Sequence, residues 1–194
     1  MRRRAFDLLM SAGGLVLTVV LLVAGSLLMW GWKFADDNVH DRLAAQNIFF
    51  PPKGSEALAS SEIGPYLNQY AGKQLLTGEQ AVAYADHFIA VHLNEVAGGK
   101  TYSEVSALAR ENPEDQELAA QVDTLFRGTM LRGVLLDAYA FWTFGRIAMF
   151  GGIAAFVLAG VMAILTILGI WHLRRVSGTE ELLAPPVELQ HVTV

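Results

Sequence analysis

Two long runs of uncharged, mostly apolar residues bracket a polar middle segment in this chain. Between Asp7 and Lys33 the sequence reads LLMSAGGLVLTVVLLVAGSLLMWGW, and between Arg146 and His172 it reads IAMFGGIAAFVLAGVMAILTILGIW. As a helix with a rise of 1.5 Å per residue, each run would be about 37 Å long, against a bilayer hydrocarbon core of about 30 Å. Neither run has a polar face, which a helix of a small soluble domain would need. The pattern therefore predicts two transmembrane helices.

The positions of the tryptophans agree with these two spans. Indole rings prefer the headgroup level of a bilayer, where the ring is half wet and its N–H finds a partner. Every tryptophan of the chain falls near an end of one of the two runs. The predicted interfacial anchors are Trp30, Trp32, Trp142 and Trp171.

Basic residues set the direction of the spans. Arg2, Arg3 and Arg4 precede the first run, Arg174 and Arg175 follow the second, and short basic tails stay in the cytoplasm. We therefore expect a multi-pass protein of the plasma membrane with both termini cytoplasmic. A cleavable signal peptide is the alternative for the first run, because residues 24–26 are small, although the apolar stretch continues beyond them.

The middle segment has the composition of a small helical domain. It holds 15 of the 19 acidic residues, counted over residues 33–140. Apolar residues at spacings of three and four, between the capping box that starts at Thr77 and the pair Gly98-Gly99, predict a helix over about 78–97. A second capping box at Thr101 predicts a short helix that ends near Glu111.

A third soluble helix is predicted to start at Asn112, with Pro113 at its first position. Its inner face would consist of Leu118, Val122, Leu125 and Phe126. Gly128 and Gly133 follow, and the pattern leaves open whether one bent helix or two lead into the second span. Phe49 and Phe50 fit either the domain core or an exposed docking patch.

The fold class predicted from these patterns is all-α, with two transmembrane helices flanking a small helical extracytoplasmic domain. The predicted division of the chain follows the charges. It comprises a cytoplasmic N-terminus over 1–7, a span over 8–32, the domain over 33–140, a second span with an aromatic start over 141–172, and a disordered cytoplasmic tail over 173–194.

Candidate chemistry is sparse in this sequence. His87, His92 and Glu95 in the predicted helix are the candidates for a metal site, but histidines five apart stand about 140° from one another on an α-helix. A histidine at the edge of a helical core is the simpler interpretation. We predict no enzymatic activity and no cofactor. The chain has no cysteine, and its net charge of −5 is unfavourable for binding nucleic acid.

Small residues recur every fourth position in the second span, at Gly151, Ala155, Ala159 and Ala163. Small residues at this spacing let another helix approach closely, and packing drives helix association in lipid. The helix that packs there is either the first span of the same chain or an outside partner, in a homo-oligomer or a larger complex.

Several motifs of the chain resemble those of a family of uncharacterised two-span membrane proteins from actinobacteria. The likeness covers most of residues 5–175 and rests on NIFFPPKGS at 47–55, EIGPYL at 62–67, YADHF at 84–88 and AYAFW at 138–142. The resemblance implies no activity. Members are sometimes labelled as an aromatic-ring-opening dioxygenase subunit, and no iron-binding histidine and carboxylate set supports that label here.

Two functions from different classes are therefore expected. The first is a non-enzymatic accessory or interaction subunit at the cell envelope, which acts through the extracytoplasmic domain in contact with the lipid bilayer and a protein partner. The second is a binding module for a small ligand or lipid, with a groove lined by Phe88, Ile89, Leu125 and Phe126. A metal-dependent enzyme that uses the candidate metal ligands is a weaker third.

Overall fold

The computed structural model describes residues 3–175 of the chain, with side chains from residue 5 onward. Most of this part is helical, 82% by residue, and the described part contains no strand. The all-α fold class is therefore confirmed. The part of the predicted disordered tail beyond Arg175 is outside the described residues. Arg2 is outside them as well.

Six α-helices form the described part of the chain. They are α1 (Arg3–Gln46), α2 (Gly64–Leu67), α3 (Gly78–Tyr84), α4 (Ala90–Ala97), α5 (Tyr102–Glu111) and α6 (Gln116–Leu173). A π-helical segment, Ala85–Ile89, joins α3 to α4, and short 3₁₀ turns cover Glu56–Leu58 and Asn68–Tyr70. The predicted helix over 78–97 is confirmed, with a wider turn in its middle.

Two of these helices are long and apolar enough to cross a membrane. They are α1 and α6, and only 22% and 17% of their most apolar windows are buried inside the protein. A core helix of a soluble protein would be mostly buried over such a window. The two apolar runs predicted as spans therefore lie in helices of the required length and composition.

The chain divides into two compact units. The first, which we call the apolar pair, consists of the described residues up to 30 and from 149 onward, and the second, the helical domain, consists of residues 31–148. Each unit contains part of α1 and part of α6.

In the apolar pair, α1 and α6 pack antiparallel along a seam of small residues. A Cβ atom added to Gly14 would lie 2.5 Å from Thr166 Oγ1, and one added to Gly169 would lie 2.8 Å from Ser11 Oγ. At the other end of the pair, a Cβ added to Gly152 would come within 3.0 Å of Met29. The glycines therefore let the two helices approach to a distance that larger residues would prevent.

The seam on α6 differs from the predicted every-fourth stripe. Ala155 and Ala159 are buried as expected, but Gly151 and Ala163 are only half-buried. The other buried positions are Gly152 and Thr166, so successive buried positions are three, four and seven residues apart. Residues four apart on an α-helix are rotated by about 40° relative to one another, so an every-fourth stripe winds around the helix. Two helices packed along their length instead contact each other through positions that are about 3.5 residues apart on average.

The helical domain has one main core and one smaller one. The main core brings α1, α2, α3, the π segment and α6 around residues that are almost fully buried, including Leu67, Leu75 and Leu135. Phe50 belongs to this core and its ring meets those of Tyr70 and Tyr84, whereas Phe49 is half exposed. The core interpretation is therefore correct for Phe50, and a docking role for Phe49 stays a prediction.

The smaller core lies between α4, α5 and the start of α6. It consists of Ala97, Val105 and Leu125, with Leu118 and Val122 packed against it. The inner face predicted for the third soluble helix is therefore correct for three of its four residues. Phe126 was placed wrongly: its side chain is half exposed and its ring lies 5.9 Å from that of Tyr102.

Local capping signals account for several helix ends. Both capping boxes are present, at Thr77 with Gln80 and at Thr101 with Glu104. The predicted cap at Asn112 is wrong, because α6 begins at Gln116 and the Asp115 carboxylate accepts hydrogen bonds from the backbone N–H groups of residues 117 and 118. Asn112 instead closes α5, since its side-chain amide donates to the Leu108 carbonyl.

Candidate functional site

The π-helical segment Ala85–Ile89 is the least regular part of the domain core. The backbone N–H of Ala90 donates to the carbonyl of Ala85, five residues earlier. Such wide turns are rare inside α-helices and are found frequently at functional sites.

Sequence periodicity explains why the helix widens here. Core-facing positions recur at intervals of four, and four such steps would drift about 160° around a regular α-helix. The wider π turn reverses part of this rotation, so that the residues before it and the residues after it both face the core. The positions concerned are Ala81, Ala85, Ile89, Leu93 and Ala97.

Asp86 in the π segment forms an ion pair with α6. Its Oδ1 atom accepts a hydrogen bond from Arg132 at 2.7 Å, and both side chains are more than a third exposed. The Arg132 Nε atom is buried and has no hydrogen-bond partner among the described residues. The two residues are 46 positions apart in the chain, so the pair links the π segment to α6.

His87, the next residue, points to another neighbour. Its ring stacks on that of Tyr66, with centroids 3.5 Å apart and planes at 2°. The two rings line an open cleft of about 250 Å³ that also includes Tyr70 and Glu79. Burial, and secondarily the negative charge of Glu79, raises the pKa of the Tyr70 phenol.

The other candidate metal ligands do not join His87. Nδ1 of His92 donates to the Phe88 carbonyl at 2.7 Å, and Glu95 is exposed on the solvent side of α4. Among the described residues, no group of three histidines and carboxylates is placed to hold a metal ion. The three candidates therefore face separate surroundings.

The residues proposed from sequence for a ligand groove are also separated. Phe88 and Ile89 belong to the main core, Leu125 belongs to the smaller core, and Phe126 is half exposed. These four side chains do not line a common cleft in the described structure.

An apolar groove lies elsewhere in the helical domain, between α1 and α6. Its volume is about 450 Å³, within the range of small-molecule sites. Apolar side chains form its floor and walls, and three polar residues stand at its rim. The lining residues are Asn38, Val39, Arg42, Leu43, Ala45, Gln46, Val134, Ala138 and Phe141.

Sequence reasoning missed this groove for an identifiable reason. Val39, Leu43 and Ala138 read as ordinary core positions of two separate helices. Only the packing of α1 beside α6 shows that the small Ala138 leaves space between them. The local sequence signal is Arg42, a cation beside the apolar positions Val39 and Leu43.

A second apolar surface lies on α6 within the helical domain, and it shares Val134 and Phe141 with the groove. We call it the outer face of α6. It consists of large side chains, between 42% and 70% exposed, that recur on one side of the helix: Phe126, Met130, Val134, Phe141 and Phe144. Buried residues such as Leu135 occupy the opposite side of the same helix.

The predicted interfacial anchors lie in different surroundings. Trp30 and Trp171 are more than half exposed within the apolar pair, and the Arg175 guanidinium lies 3.7 Å from the Trp171 ring. Trp142 is half-buried against the main core and in contact with Gly78. The structure thus gives Trp142 a packing role in the domain, while its position at a membrane interface stays a prediction.

Comparison of the chain with protein-family models, with curated proteins and with solved structures gives no match. The resemblance to the actinobacterial two-span family therefore stays a prediction.

Proposed function

We propose that the protein is a two-span integral membrane protein that presents its helical domain on the extracytoplasmic side as an interaction module. In this proposal both termini are cytoplasmic, and the domain acts as an accessory subunit for a protein partner. The two long apolar helices and the basic residues beyond their ends support the location.

The single observation that carries the interaction role is the outer face of α6. Three of its five side chains, Phe126, Met130 and Val134, recur every fourth residue ahead of the predicted second span, whereas the two later phenylalanines fall within that span and would face lipid. The exposed Asp137 separates the two groups. Large exposed apolar side chains on one side of a soluble helix mark interaction sites. Because the opposite side of α6 is already occupied by the domain core, these three side chains are available to a partner.

The absence of cysteine allows a direct test of the topology. Glu114→Cys adds one thiol in the exposed turn before α6, and Ala5→Cys adds one near the N-terminus. We expect a membrane-impermeant maleimide to label the variant at 114 in intact cells, and the variant at 5 only after permeabilisation. Labelling in the reverse order would overturn the proposed orientation.

The interaction role has a separate test. A photo-crosslinking amino acid at Met130 would probe the outer face of α6, and the same residue at Glu111 on α5 is the matched exposed control. We expect a discrete adduct from position 130 alone, and its loss when Phe126 is replaced by Ser. Equal adducts at both positions, or none at 130 in native membranes, would contradict the proposal.

A binding module for a small ligand or lipid is the second candidate function. The observation that favours it is the apolar groove between α1 and α6, which has the size and the apolar lining of a ligand site.

A further inference from the structure

The groove between α1 and α6 has an apolar floor and one positively charged rim. Val39 and Leu43 form the floor, and both are 4% exposed. Val134 and Phe141 stand at its α6 side, and the small Ala138 between them leaves the groove open. The mainly apolar lining fits an alkyl chain better than a polar ligand.

Arg42 supplies the charge at the rim. Its Nε donates to Asn38 Oδ1 at 2.7 Å, which fixes the direction of the side chain. The neighbouring carboxylates have other partners, since Asp37 pairs with Lys33 and Asp41 lies beside His40. Within the described residues no carboxylate pairs with Arg42, so its guanidinium can hold an anion.

The position of the groove along the helices indicates where its occupant comes from. Its walls belong to α1 and α6, the two helices that are long and apolar enough to cross a membrane. Phe141 is the first residue of the predicted second span, and its ring contacts that of Phe34, which lies just after the predicted first span. The end of the groove at Phe141 is therefore the end nearest to the predicted bilayer surface.

We propose that this groove binds an anionic phospholipid of the surrounding bilayer. One acyl chain lies along Val39, Leu43 and Ala138, and the phosphate is held by Arg42 with the amide of Asn38 beside it. The inference rests on the membrane location proposed above, and it adds a specific ligand class and site to it.

The test uses the full chain in nanodiscs of defined composition that contain a photoactivatable phosphatidylglycerol or phosphatidylcholine. Labelled peptides are identified by mass spectrometry. We expect labelling over residues 38–46 and 134–141, stronger with phosphatidylglycerol. Ala138→Trp fills the groove and should lower labelling at least fivefold, whereas Ala140→Trp, an exposed position of the same helix outside the groove, should leave it within twofold.

A second variant tests the charge without disturbing the packing. Arg42→Gln should reduce the preference for the anionic lipid about tenfold, which is the effect of losing one hydrogen bond to a charged group. Native protease resistance of the domain confirms that each variant is folded.

Three results would overturn the lipid site. They are equal labelling of the two lipids, labelling that Ala138→Trp does not change, and cross-links that show a second copy of the chain seated in the groove. Extraction of the chain from membranes by alkaline carbonate would count against the membrane location instead, so the failure of the two proposals can be told apart.

Discussion

Gly78 and Gly133 allow the packing of the helical domain to be tested by two identical substitutions with opposite expected signs. Gly78 is the first residue of α3, and a Cβ there would overlap the Trp142 side chain at Cβ and approach its Cγ to 2.6 Å. Cβ of Trp142 is fixed to the backbone of α6 and cannot rotate away. Overpacking of this kind costs about 1–3 kcal/mol, so we expect Gly78→Ala to destabilise the domain by about 2 kcal/mol.

Gly133 lies inside α6 and has no other atom within 4 Å of an added Cβ. Alanine is favoured over glycine in a helix interior by about 0.5–1 kcal/mol, because it loses less backbone entropy on folding. Gly133→Ala should therefore stabilise the domain by about that amount.

Hydrogen exchange of the full chain in detergent measures both effects. The relevant probes are the slowest-exchanging backbone amides of residues 81–97, because these exchange only when the core opens. Gly78→Ala should speed their exchange about 30-fold, since each 1.4 kcal/mol is a factor of ten. Gly133→Ala should slow it a few-fold. Unchanged or slower exchange in Gly78→Ala would refute the contact between Trp142 and α3.

Three further predictions concern the domain. Asp86→Asn and Arg132→Met should show a coupling free energy of about 0.5–1 kcal/mol in a double-mutant cycle of unfolding. High salt should reduce the coupling, because both side chains are partly exposed. Additive effects of the two substitutions at low salt would refute the ion pair. Leu67→Ala should cost about 3 kcal/mol in unfolding measurements, because the side chain is fully buried; a cost below about 1 kcal/mol would contradict that burial. Hydrogen bonds from the Thr101 backbone and hydroxyl lower the pKa of Glu104 from its ordinary value of 4.5. The ionised carboxylate therefore stabilises α5 above pH 4.5, and this stabilisation is lost as the pH falls through the lower pKa of the folded state. Glu104→Gln should flatten the acid dependence of hydrogen exchange in α5, and an unchanged profile would exclude this cap as its source.

Local sequence signals predicted the elements that local interactions determine. The capping boxes at Thr77 and Thr101 each satisfy orphan backbone groups with residues three positions away, so a short stretch of sequence contains the whole interaction. The start of α6 was harder, because Asn112 and Asp115 are both good caps and both precede acidic residues. The choice between them depends on how α5 ends, where Asn112 is already used.

Features that depend on packing between distant segments could not be predicted in the same way. The stack of His87 on Tyr66 and the ion pair of Asp86 with Arg132 join residues far apart in the chain. Phe126 looked like a core residue because the spacing from Val122 is helical. The position of α5 decides that Leu125, and not its neighbour, reaches the smaller core.

The π segment also has a consequence for how homologous chains can differ in length. A π turn is equivalent to one residue inserted into an α-helix, so a chain that lacks one residue within 85–89 could continue as a regular helix. Its second half would keep its orientation, because the π turn absorbs the extra residue locally. If the full-length segment instead formed a regular α-helix, its second half would be rotated by about 100°, and Leu93 and Ala97 would leave the core. A shortened relative is therefore expected to keep apolar residues at the positions equivalent to Leu93 and Ala97.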